Sequence, residues 1–231
     1  MLFPYKDDNP RVLIPYVTYF LIGINLFIFL FQFSMGMNDP EAEAIFVYTY
    51  GLIPSQFSIL TMFSSMFIHG GISHIIGNMW FLWIFGDNVE SVLGHIKYAI
   101  FYLLCGTIAA ITQILINPDS QIPMVGASGA IAGVLGLYMM RFPNARVHVF
   151  AFIIIFFTTF RVPAIVVLGF WFFNQLTNGM GALGLDTTGG VAWVELVITP
   201  SASKSIKFRE QIAKDATNAT SLDTSIAETT Y

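Results

Sequence analysis

The sequence predicts an all-α, polytopic membrane helix bundle, and three observations predict it. Of the 231 residues, 55% are apolar and only 10% are charged, whereas an ordinary soluble domain carries about a quarter charged residues. The apolar residues fall into uncharged runs close to the roughly 20 residues that a bilayer span requires. Lys and Arg are confined to alternate connections, the distribution described by the positive-inside rule. Five clear transmembrane helices and an incomplete sixth are expected.

Taken in order, residues 1–11 form a polar arm carrying Lys6 and Arg11. Residues 12–33 are uncharged and form the first span. The connection 34–72 has no Lys or Arg and holds Asp39, Glu41 and Glu43, then a Gly-Leu-Ile-Pro turn at 51–54. Phe57, Ile59, Leu60 and Phe63 keep it apolar enough for part of it to lie in the interface or re-enter. Residues 73–93 are the second span, although they contain His74, Asn78, Asp87 and Glu90. For the two acids, capping and solvent exposure at the helix end is the favoured reading.

Residues 96–116 are the third span, followed by a polar turn at 117–123. Residues 126–140 are the fourth helix. At roughly 1.5 Å per residue it is too short to cross about 30 Å, so it must begin inside the protein. Residues 147–173 are the fifth span, with Arg161 and Pro163 in its middle and Arg161 expected to pair with an acid or a carbonyl. A Gly-rich loop covers 174–190. A brief apolar stretch, 191–198, already contains Glu195, and Pro200 ends it. The expected organisation is thus an arm at 1–11, a membrane domain at 12–200 and a polar, soluble or disordered tail at 201–231.

Lys6, Arg11, Lys97, Arg141 and Arg146 all fall on one side of this arrangement. The positive-inside rule places that side and the N-terminus in the cytoplasm. The expected location is a multi-pass protein of the bacterial inner (plasma) membrane. No cleavable signal peptide is expected, because the apolar run after the arm is too long for one.

Three residues carry candidate chemistry. Ser128 opens a charge-free apolar run in Gly126-Ala127-Ser128-Gly129-Ala130-Ile131-Ala132-Gly133. Unpaired N–H groups at a helix start favour negative charge and suit a developing oxyanion. The alternative is a serine N-cap on a helix whose Gly129 and Gly133 serve close packing. His74 and Asn78 are four apart and share a helix face. Polar groups inside a membrane helix usually face the bundle interior and mark function, the alternative being a structural bond between helices. His69-Gly70-Gly71 reads as a loop turn. One cysteine, Cys105, and scattered histidines supply neither a disulfide framework nor the three or four ligands that zinc takes. No metal, cofactor or nucleic-acid partner is expected.

Two stretches together resemble one family: His69-Gly70-Gly71-Ile72-Ser73-His74-Ile75-Ile76-Gly77-Asn78, continuing through Glu90, and Gly126-Ala127-Ser128-Gly129 through Gly133. The chain resembles the rhomboid intramembrane serine proteases from about residue 12 to 193. Phe-Arg-Val-Pro-Ala at 160–164 and Gly-Gly-Val-Ala-Trp at 189–193 resemble the family's fifth and sixth helices. The resemblance implies a six-helix bundle, Ser128 as nucleophile, and Asn78 and His74 as oxyanion-stabilising side chains. It also implies transmembrane protein substrates, or clients, met within the lipid bilayer.

The chain departs from the family at the base. The family's sixth helix continues as Gly-Gly-Val-Ala-Trp-x-Ala-His-x-Gly-Gly. Here the His position is Leu196, and the following glycines are Ile198 and Thr199. No histidine lies after His148. A serine without an adjacent base is a poor nucleophile at neutral pH. The loss of the two glycines is also expected to remove the packing of a sixth helix against Gly129 and Gly133. The abrupt change at residue 194 has the look of a replaced C-terminus. The expected function is therefore a rhomboid-type protease impaired by its missing base. Alternatives are a non-catalytic rhomboid-like protein that binds transmembrane segments, or a small transporter, which lacks the inverted repeat such folds use.

Overall fold

A computed structural model describes residues 2–153 and 156–182. The chain divides into two compact units, Met1–Leu176 and Thr177–Tyr231. In the second, the described residues are the end of one helix.

In chain order the elements are β1 (Leu2–Asp7), α1 (Tyr16–Asn38), α2 (Pro40–Tyr50), α3 (Ile59–Ser64), α4 (Ile72–Leu93), α5 (His95–Ile116), α6 (Ser128–Arg141), β2 (Arg146–Ile153), β3 (Phe156–Pro163) and α7 (Ala164–Ala182). The helical membrane bundle expected from the sequence is present. By length and hydropathy α1 and α5 can each cross a membrane; residues 59–67 and α4 meet the same test only together, and they are bent by 86° relative to one another. The re-entrant look of the 34–72 connection has this bend as its origin. Within that connection, local signals set the helices. Asp39 caps α2 by accepting from the Glu41 and Ala42 N–H groups, with Pro40 at the first position. Ser58 and Thr61 cap α3 reciprocally.

The α6 helix has 14 residues and packs against both α4 and α5. Its glycines make the second contact possible. A Cβ on Gly129 would stand 2.5 Å from the Ala109 Cβ, and one on Gly133 would overlap the Cys105 side chain. The close approach is to α5; the sixth helix expected against these glycines lies outside the described residues. The contact with α5 also accounts for the lone cysteine in an apolar run.

The expected fifth span at 147–173 is not one helix. Its first half is a β-hairpin, with β2 between β1 and β3 in an antiparallel sheet. Val147 and Val149 point inward and are buried, while Arg146 and His148 alternate with them. Val, Phe and Thr crowd this segment and favour a strand. The helix starts only after Pro163 and continues to Ala182, through the first half of the expected Gly-rich loop. Arg161 lies on β3 rather than in a membrane helix. It does pair with an acid, its Nη1 standing 3.9 Å from Asp8 Oδ2.

A polar cluster joins the sheet to the helix ends. The buried Asp7 carboxylate accepts from Tyr138 Oη at 2.7 Å, Asn9 Nδ2 at 2.9 Å and Asn88 Nδ2 at 3.0 Å. Burial raises the Asp7 carboxyl above its ordinary value, against the pull of these donors. Its neighbour Asp8 is exposed, and the hydrogen bond from His148 lowers it. Asp87 and Glu90 are not solvent-exposed caps. Asp87 is buried beside Arg11, at 3.2 Å, and Glu90 has no exposed surface. Glu90 does cap a helix, but a neighbouring one: it accepts from the Val17 and Thr18 N–H groups and the Thr18 hydroxyl at the start of α1.

Candidate active site

His74 and Asn78 lie one turn apart on α4, as their spacing requires. Asn78 is buried, and its Nδ2 donates to the His74 carbonyl at 2.9 Å. That bond fixes which amide atom faces which way. The His74 ring lies against the segment leading into α6. Gly126 has φ +122°, and a Cβ there would come within 2.7 Å of His74 Cε1 and Nε2. Both the backbone conformation and the ring contact thus require glycine. The same residue is anchored from behind, since its N–H donates to the Ser65 carbonyl at 2.8 Å. Leu52 and Met124 exchange two backbone hydrogen bonds just before it. The long first connection therefore holds the segment that delivers Ser128.

Ser128 is the first residue of α6 and is half-buried. It is not an N-cap: that position is Ala127, and no side chain caps the helix. The first N–H groups of α6 have no partner within the helix. Among the described residues the Ser128 hydroxyl makes no hydrogen bond.

The tautomer of His74 follows from its surroundings. Gly70 N–H donates to His74 Nδ1 at 3.4 Å. In a neutral imidazole the proton then resides on Nε2, which faces the Gly126 side. His69 is fully buried and packs edge to face on His74, with ring centroids 5.2 Å apart. Its backbone is clamped by Gln32 of α1, whose Nε2 donates to the His69 carbonyl at 2.8 Å. The loop-turn reading of 69–71 agrees with this placement. Sequence reasoning missed Gln32, although a polar residue inside an apolar span was itself a signal. It also missed the conformational demand at Gly126.

The remaining histidines are engaged elsewhere. His95 Nδ1 stands 2.6 Å from Glu90 Oε1, and His148 contacts Asp8. The Leu196 position lies outside the described residues. Among the described residues, no group of three His, Cys, Asp or Glu side chains could hold a metal ion. An apolar cavity of about 600 Å³ opens between α4, α7 and the sheet, lined by Ile76, Gly77, Trp80, Val149, Phe160 and Trp171 among others.

A family model described as Rhomboid domain matches residues 56–194. The presenilin-associated rhomboid-like protein A, mitochondrial, of Danio rerio is 30% identical over 54% of this chain and 35% of its own length. Rhomboid protein 1, mitochondrial, of Saccharomyces cerevisiae is 28% identical over 65% of this chain and 42% of its own. RHOMBOID-like protein 6, mitochondrial, of Arabidopsis thaliana is 36% identical over 32% of this chain and 24% of its own. The chain thus spans well under half the length of these relatives. No solved structure matches it significantly. The expected bacterial inner membrane is overturned by these relatives, whose names place them in mitochondria and so point to a mitochondrial membrane. The matched stretch runs from the first connection past Trp193 and takes in His74, Asn78 and Ser128, and the chain belongs to the rhomboid family.

Proposed function

We propose that this chain receives transmembrane segments of membrane proteins and hydrolyses them slowly, as an intramembrane serine protease that lacks its base. The packing of Gly126 against the His74 ring carries this reading. It joins two donors on α4 to the start of α6, where Ser128 sits.

In the proposed step Ser128 Oγ attacks the scissile carbonyl carbon, forming a C–O bond while the carbonyl oxygen takes the electron pair. His74 Nε2–H, the second hydrogen of Asn78 Nδ2 and the free N–H groups of α6 are the donors for that oxyanion. The Oγ proton must leave, and the departing amine must gain one. His74 is assigned to the oxyanion side, with Gly70 N–H 3.4 Å from its Nδ1, and one imidazole does not serve as donor and base in the same step. Both proton transfers then fall to water. A positioned acid–base group contributes about 10²–10⁴-fold, and a deficit of that order is expected here.

The test uses the purified full chain in lipid vesicles with a reporter transmembrane substrate, beside S128A. The expected result is weak or undetectable cleavage with substrate crosslinking retained in both proteins. The fourfold replacement E195A/L196H/I198G/T199G is expected to raise cleavage more than L196H alone. Robust cleavage abolished in S128A would overturn the impairment. Absence of substrate crosslinking would overturn the substrate reading.

A further inference from the structure

A second cavity lies at the opposite end of the bundle from Ser128 and plays no part in the proposed hydrolysis. It measures about 520 Å³ and is formed by the end of α6, the turn into β2 and the face of β3. Three arginines line it: Arg141 at the last turn of α6, Arg146 at the first residue of β2 and Arg161 on β3. One acid, Asp8, faces them. Its charge is already engaged by His148, and Arg161 stands 3.9 Å away with a side chain 61% exposed. Arg141 and Arg146 are exposed and form no ion pair among the described residues.

The sheet extends this field. Lys6 on β1, His148 on β2 and Arg161 on β3 are directly paired across the strands, so they form one row on one face. The volume falls in the range of small-molecule sites, about 300–1,000 Å³. Guanidinium forks match phosphate oxygens in a bidentate manner, and three of them converge here with a single spent carboxylate opposing them.

The flanks indicate where such a phosphate comes from. Met140, next to Arg141, is 82% exposed. An exposed apolar side chain bordering a cationic hollow at a helix end describes the boundary between hydrocarbon and headgroup. We propose that the Arg141–Arg146–Arg161 cavity binds a phosphate group, presented by an anionic phospholipid whose acyl chains lie beside Met140.

The experiment takes the purified, delipidated full chain in dodecyl maltoside. Dioleoylphosphatidylglycerol, dioleoylphosphatidylcholine and inorganic phosphate are added separately, and bound adducts are counted by native mass spectrometry. The expected result is a one-to-one phosphatidylglycerol adduct that phosphatidylcholine does not form. R146Q/R161Q is expected to weaken it by about tenfold or more, as the loss of charge-assisted bonds implies. K97Q, whose lysine lies on α5 outside the cavity, is expected to leave it unchanged. Thermal unfolding without lipid checks that each variant is folded, and R141Q serves if the double variant is not. Adducts with inorganic phosphate that compete with phosphatidylglycerol would support the phosphate site and reassign its source to a free ion. Equal adducts with both lipids, or adducts that persist in a folded R146Q/R161Q, would overturn the proposal.

Discussion

The first turn of α1 is held by a carboxylate from another helix. Glu90 accepts two backbone N–H groups and a hydroxyl there, and His95 meets its other side. Truncating it would leave two donors without an acceptor in a buried place, at about 1–3 kcal/mol each. E90A is therefore expected to lose about 3 kcal/mol or more, read as a fall in thermal midpoint in detergent. E90Q should keep part of the loss at bay, because its carbonyl oxygen still accepts. At this scale the sequence was informative wherever a polar residue interrupted an apolar run. His74, Asn78 and Ser128 stood out for that reason, and the structure packs the two helices that bear them, α4 and α6, together. Gln32 carried the same signal in a weaker setting, one polar group within α1. The role of Gly126 depends on a positive φ and a ring lying against it, and neither can be read from residue type.

Among the elements, α4 and α5 were legible from their apolar length and α6 from its charge-free run and glycine spacing. The hairpin was not. Residues 147–173 form a run apolar enough to read as a span, and apolar length alone does not separate a helix from a strand. The clue lay in the first residues, where Arg146, Val147, His148 and Val149 alternate with period two. The contact of α6 with α5 gives a prediction at this scale. G133L would drive a side chain into Cys105 and force the two helices apart, at a cost of about 1–3 kcal/mol or more for overpacking. A Cβ on Gly136 meets nothing within 4 Å, so G136A should be near neutral. Thermal unfolding of the two variants side by side checks the contrast.

At the scale of the molecule, the sheet fixes a feature that the charges had indicated. Because β1 pairs with β2, the N-terminal arm and the turn after α6 lie at one end of the bundle. In a C105A background, single cysteines at Asn9 and Asn144 should react with a membrane-impermeant maleimide from the same side of sealed vesicles. Labelling of the two from opposite sides would contradict the pairing. The pairing also has a consequence in time. Lys6 meets His148, so 142 residues separate the partners, counted as 148 minus 6. At about 5–20 residues per second, the first strand made waits on the order of ten seconds for its neighbour to be synthesised. Loop-closure entropy grows only slowly with length, so the delay matters more than the distance. During it Asp7 lacks the hydroxyl of Tyr138, and β1 offers an open edge to whatever strand passes. The residues of β1 are therefore written early and read late: the seam between β1 and β2 can form only after α6 has been made.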